Sequence, residues 1–293
     1  MSKISALYIL LAGACWGMNG FFFRHLSVYG MGSMEVLFVK VIFSAWILGA
    51  FLLIKEAPFL RIRKKDLWVI LAVGLCGMLI FNYLYFLSMT YSTVAVTVAL
   101  VYTSPIFVVL ISSKLFGEAI TKRKVIALAV IFIGCASSGG VFSGGLDVTV
   151  IGLLIGIGAG LFYSSYSIFS RMALDRGYRG EIVAFYAILI TAVGVCFMAD
   201  FDVIAHAICP PMLLYSLGIS FVCCLCPMVL YTVGLKKVET GTAAMLVTSE
   251  PVVAALSGFF LLGEPLPIYT AVGISLIVFG ILLMNRKKTS KTA

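Results

Sequence analysis

Thr248-Ser249-Glu250-Pro251, followed by an apolar run that closes at Leu262-Gly263-Glu264, places an acid and a proline inside a stretch of membrane-spanning length, about twenty residues. The chain reads Tyr102-Thr103-Ser104-Pro105 at an offset of 146 residues before it, and runs on to Phe116-Gly117-Glu118. The prolines, the Gly-Glu pairs, Leu110/Leu256 and Leu115/Leu261 all fall in register. Within this stretch, only Ser104/Glu250 sets a hydroxyl in the first half against a carboxyl in the second. The pattern predicts two copies of one membrane unit, with a charge in one of them.

Composition agrees. Of 293 residues, 62% are hydrophobic and 11% charged, and the mean hydropathy is +1.15. A soluble domain carries about 45–50% apolar and about 25% charged residues. The net charge of +9 lies in short clusters between apolar runs, the pattern of a membrane protein and not of a nucleic-acid partner. Seven of the eight cysteines sit inside apolar runs and read as small apolar residues. Cys223 and Cys226 form a C-x-x-C with no second ligand pair, so no metal site and no cofactor is expected. Apolar residues from Ile4 to Phe23 read as an uncleaved first helix and not as a signal peptide.

Ten runs approach spanning length: 4–24, 33–54, 67–88, 94–115, 124–141, 149–170, 182–199, 211–233, 242–262 and 267–285. Lipid demands internal backbone pairing, which runs near twenty residues meet as helices; a barrel needs segments of about ten. The fold class is therefore an all-α polytopic membrane protein of ten transmembrane helices. With the N-terminus in the cytoplasm, Lys3 and the segments 55–65, 114–124, 171–181, 236–237 and 286–291 are cytoplasmic and hold 19 of the 21 Lys and Arg. Basic residues favour the cytoplasmic side, so both termini are placed there and the chain in a cell (inner) membrane.

The repeat extends further. Tyr85/Tyr231, Leu100/Leu246, Val101/Val247, Ile131/Ile277, Gly134/Gly280 and Glu35/Glu181 share the 146-residue offset. With one residue of slip, Ala12-Gly13 aligns with Ala159-Gly160, Phe22 with Phe169 and Arg24 with Arg171. The units divide at 1–146 and 147–293, five helices each. An odd number makes the second copy enter from the opposite side: an inverted repeat, with substrate sites near mid-membrane. Gly13 and Gly17 in the first helix, and Gly152, Gly156 and Gly160 in the sixth, permit close helix approach. Loops are short, and the Gly-rich phosphate loop of ATP-driven pumps is absent.

Two five-helix repeats, a proline early in helices 4 and 9, Gly-Glu at their ends, Trp16 and the Glu250-Pro251 step resemble the drug/metabolite transporter superfamily, in its EamA-type branch. The resemblance covers roughly residues 4–285. It implies export of amino acids and other metabolites or exchange of phosphorylated and nucleotide-linked compounds, a cavity surrounded by helices 1, 3, 4, 6, 8 and 9, and helices 5 and 10 at the periphery or a dimer contact. Members often carry an Arg in helix 2; here the basic residue is Lys40.

Ionisable groups within spans mark function by default, and Lys40 and Glu250 qualify. Glu250 reads as a proton-coupling or amine-binding group, or as a structural carboxyl pinned by Lys40. Lys40 reads as an anion partner or as a side chain snorkelling outward. Pro105 and Pro251 free the carbonyls of Val101 and Val247, either as ligands or in a plain kink. Trp16 and Asn19 align with Tyr163 and Tyr166, and residues three apart share a helix face. With Asn82, Tyr85, Tyr102, Ser104, Tyr231 and Ser249 they complete the candidate substrate-binding or coupling set. Glu118 and Glu264 read as caps of neighbouring helices.

The expected function is a secondary active transporter of a small organic metabolite, working by alternating access with the proton as a candidate coupling ion. One Lys and one Glu suit a zwitterion such as an amino acid. The alternatives are a facilitative channel and an intramembrane enzyme. The enzyme lacks any nucleophile–base or metal set and is not expected. Expected partners are the substrate and the lipid bilayer, with the protein a monomer or homodimer.

Overall fold

The computed structural model describes residues 3–55, 60–141 and 149–285, which are helical throughout their regular structure, with no β-strand among them. In chain order the helices are α1 (Lys3–Ser27), α2 (Ser33–Lys55) and α3 (Lys64–Tyr91), then α4, built of Val94–Val101 and Ser104–Phe116. After them come α5 (Lys122–Ser138), α6 (Val150–Asp175) and α7 (Gly180–Val195), and α8 (Pro210–Leu235). Next is α9, built of Thr240–Leu246 and Ser249–Leu262, and last α10 (Ile268–Asn285). A short helix, Phe201–Ala207, precedes α8.

Among the described residues seven helices, α1–α4, α6, α8 and α9, are long and apolar enough to cross a membrane. The other three of the ten expected spans are shorter, at 17, 16 and 18 residues for α5, α7 and α10. At 1.5 Å per residue they reach only about 24–27 Å against a hydrocarbon core of about 30 Å. α5 also spends its first turn on Lys122, Arg123 and Lys124. The basic segment 286–291 and the loop 142–148 lie outside the described residues.

Packing follows the repeat. α1 packs on α8 and α9, and α6 packs on α3 and α4, its equivalents. α2 meets α8 as α7 meets α3, while α2–α7, α4–α9 and α5–α10 pair across the same symmetry. The two sequence halves are thus interlocked. Gly117 and Gly263 end α4 and α9 with identical backbone angles, φ 67° and ψ 21°, in the left-handed region open to glycine.

The described basic segments meet at one end. Asp66 is buried there, accepting from Arg63 Nε at 2.7 Å and the Tyr178 hydroxyl at 3.0 Å. Lys124 pairs with Glu239 at 2.7 Å. At the opposite end Glu35 accepts the Asp200 N–H at 3.0 Å, and Arg24 pairs with Glu264.

Candidate functional site

The two proline helices do not bend smoothly; each stops and restarts. α4 breaks at Tyr102-Thr103 and α9 at Val247-Thr248, one register step apart in the two copies. Pro105 and Pro251 cannot donate to the preceding turn. Nearby groups take up part of the freed backbone. The Thr103 hydroxyl donates to Leu100 C=O at 2.6 Å, and Thr248 does the same to Met245. Glu250 N–H donates to Val247 C=O at 3.0 Å.

Glycines bring a helix against each break. A Cβ on Gly160 of α6 would stand 2.6 Å from Thr103 Oγ1 and 2.9 Å from the Leu100 carbonyl. Gly13 of α1 lies against Ser249 and the Val247 carbonyl in the same manner, and Gly17 against the Glu250 carbonyl. The aligned pair Gly13/Gly160 therefore seats both breaks against neighbouring backbone, the role small residues play where lipid gives no hydrophobic drive.

Two further features carry no sequence signal. Leu75–Ile80 in α3 and Phe221–Leu225 in α8 are single-turn π segments that begin 146 residues apart. Such segments widen a helix and recur at functional sites. Asn82 donates to Met78 C=O at 2.7 Å, so its amide serves the first π segment. Ser44 donates to Ser220 C=O at 2.8 Å and Ser220 to Val39 C=O at 3.2 Å, fastening α2 to α8 at the second.

A small, partly open cavity lies against the α4 and α9 breaks. Its walls include Trp16, Ser104, Tyr163, Tyr166, Tyr231 and, unanticipated, Ser167, whose hydroxyl lies 2.6 Å from that of Tyr231. Trp16 and Tyr166 rings both stand 5.8 Å from that of Tyr231. The Tyr166 hydroxyl is buried without a hydrogen-bond partner among the described residues. Tyr163, Tyr85, Tyr102 and Lys40 are all within electrostatic reach of the Glu250 carboxyl. Lys40 and Glu250 form no ion pair within 4.0 Å; the Lys40 Nζ instead reaches Asn19 Oδ1 at 3.5 Å. Asn19 is itself anchored to Trp16 C=O at 2.9 Å.

Most of the expected residues thus converge. Ser249 does not: its hydroxyl is turned to Leu10 C=O at 3.0 Å, holding α9 to α1. Pro105 and Pro251 act through the breaks. Among the described residues, no cluster of His, Cys, Asp or Glu could hold a metal ion.

Comparison with known proteins agrees in extent. The model of the EamA-like transporter family matches twice, over residues 3–139 and 150–286. An uncharacterized transporter of Archaeoglobus fulgidus is 23% identical over 97% of this chain and 98% of its own. The uncharacterized transporter YwfM of Bacillus subtilis is 25% identical over 99% and 98%. A solved crystal structure superposes with a TM-score of 0.82 at 19% identity, over 97% of both chains, which speaks to the fold alone. With two family repeats spanning nearly its whole length and a cavity between their broken helices, the chain is an integral multi-pass membrane protein that belongs to the EamA-like transporter family.

Proposed function

We propose that this transporter is a secondary carrier of a small organic metabolite, and that its substrate occupies the cavity between the α4 and α9 breaks. The observation that carries the reading is the position of the cavity against both breaks. Aromatic rings and hydroxyls line it, and the Glu250 carboxyl lies beside it, within electrostatic reach of the lining residue Tyr163. Rings suit the flat apolar part of a metabolite, and the carboxyl suits an amine or a proton. Lys40, held at the edge by Asn19, gives an acidic group of the same molecule a partner, so a zwitterion such as an amino acid fits the pair.

Packing supports alternating access in which α1, α2, α8 and α9 move as one body against α3, α4, α6 and α7. Ten crossings, both termini in the cytoplasm, the repeat boundary at 146/147 and a place in the cell's inner membrane complete the reading. Binding can be tested before transport. Amino acids, nucleobases and organic amines are titrated into purified protein and the unfolding temperature is followed, since a ligand that binds only the folded state raises it. At least one compound raises it in the wild type, and the rise is lost in Trp16→Ala and Tyr163→Phe. A compound that stabilises wild type and both variants equally binds elsewhere and contradicts this placement.

A further inference from the structure

The two ends of the molecule use equivalent residues differently. At one end Glu118, after α4, caps the start of α9: its carboxylate accepts the N–H groups of Thr240 and, at 2.9 Å, Gly241. Arg171, at the same end, pairs with Asp175 at 2.9 Å and donates to the Leu235 carbonyl, the last of α8, at 3.4 Å and to the Val238 carbonyl beyond it at 3.3 Å. The second half of α4 and the first half of α9 are packed together there. This end is closed.

Equivalent residues at the other end are Glu264 after α9 and Arg24 of α1, and they bind each other. The helix start that matches Thr240-Gly241 is Val94-Ala95, in a turn capped by the Thr93 hydroxyl accepting from Val96 N–H at 3.3 Å. The first half of α4 makes no comparable contact with the second half of α9 among the described residues. This end is open.

Glu264 nevertheless has the geometry of a cap. Its N–H donates to Gly258 C=O at 3.0 Å, as that of Glu118 donates to Ser112 C=O at 3.5 Å. The Glu118 carboxylate is folded over Ser112, accepting its hydroxyl at 3.1 Å. That of Glu264 is folded over Gly258, in line with a Cβ direction. The Arg24–Glu264 side chains are 60% and 49% exposed, and an ion pair that open to water is weakly held. It is readily exchanged for another partner.

We infer that Glu118 and Glu264 are alternating helix caps that hold the two end states of the transport cycle. In the opposite state Glu264 leaves Arg24 and caps Val94 and Ala95 at the start of α4, while Arg24 takes carbonyls at the end of α3. Glu118 releases Thr240 and Gly241 and pairs with Arg171, whose guanidinium already lies 6.0 Å from the ring of Phe116. Each carboxylate exchanges an arginine for two backbone donors at a helix N-terminus, where negative charge is favoured. The inference rests on the alternating-access reading above.

Amide hydrogen exchange tests it with the full chain in lipid nanodiscs, without a substrate. Loss of a cap shifts such an equilibrium by about tenfold. Glu118→Gln is expected to speed exchange at residues 240–241 by that order and, at the far end, to slow it at residues 94–95. In Glu118→Gln with Glu264→Gln the slowing at 94–95 disappears. Should Glu118→Gln fail to accumulate, Glu118→Asp shortens the reach by one methylene and gives the same pattern more weakly. Faster exchange at 240–241 with none of the reciprocal slowing, or no change at either end, makes the glutamates static caps and overturns the inference. Failure of the carrier reading shows elsewhere, as flux through liposomes that does not saturate whatever these amides do.

Discussion

Glu250→Gln abolishes proton-driven accumulation of substrate while leaving exchange of substrate for substrate measurable. The substitution keeps the shape of the side chain but removes the charge and the exchangeable proton. A charged group inside a span costs about 2.5–3.5 kcal/mol on insertion scales. The first repeat avoids that cost with Ser104 at the matching position. Among the described residues Glu250 also has no ion pair within 4.0 Å, so a purely structural clamp with Lys40 does not account for it. Accumulation against an imposed pH gradient is the measurement, compared with exchange at equal pH. An unchanged gradient-driven uptake in Glu250→Gln assigns the coupling to another group. Lys40→Ala belongs in the same series. Since the two charges interact without touching, the double variant with Glu250→Ala loses less than the sum of the single losses.

Gly160→Val prevents folding. Its Cβ position already lies 2.6 Å from Thr103 Oγ1 and 2.9 Å from a backbone carbonyl, so relief requires α6 to retreat from the α4 break. That contact seats the cavity wall carrying Tyr163, Tyr166 and Ser167. Overpacking of a close-packed site costs about 1–3 kcal/mol or more, and here the neighbour that must yield is backbone. Gly158→Val is the control on the same helix, because its Cβ would meet only a Leu84 methyl at 3.8 Å. The yield of monodisperse protein after extraction is expected to fall about tenfold or more for Gly160→Val and to hold for Gly158→Val. Equal yields would show that the close approach is dispensable.

Much of this was legible because a repeat writes its landmarks twice. Pro105/Pro251 and Gly117-Glu118/Gly263-Glu264 mark the two breaks and the two left-handed caps, and Glu250 stands out as a charge that the matching break lacks. Trp16, Tyr163, Tyr166 and Tyr231 were found as polar-tipped aromatics at matching depth. Other features had no such mark. A π turn needs no special residue, so Leu75–Ile80 and Phe221–Leu225 read as ordinary apolar helix. Ser167 is one serine among several in α6, and only the placement of α8 brings it to Tyr231. Ser249 carried the same polar signal as Ser104 but faces α1, since a hydroxyl in sequence does not reveal which carbonyl it will find. The asymmetry between Glu118 and Glu264 is a property of the conformation and is invisible in two copies of one motif.

The central claim is a carrier whose single site faces one side at a time. Its most direct test is the initial rate of uptake of a compound identified by thermal stabilisation, in liposomes holding the purified protein. Uptake is measured across a range of external concentrations, with and without the same compound inside. The account predicts a rate that saturates and rises several-fold when the inside is loaded, because a loaded site returns faster than an empty one. A rate that climbs in proportion to concentration and ignores the internal pool would be that of a channel, and would contradict the account.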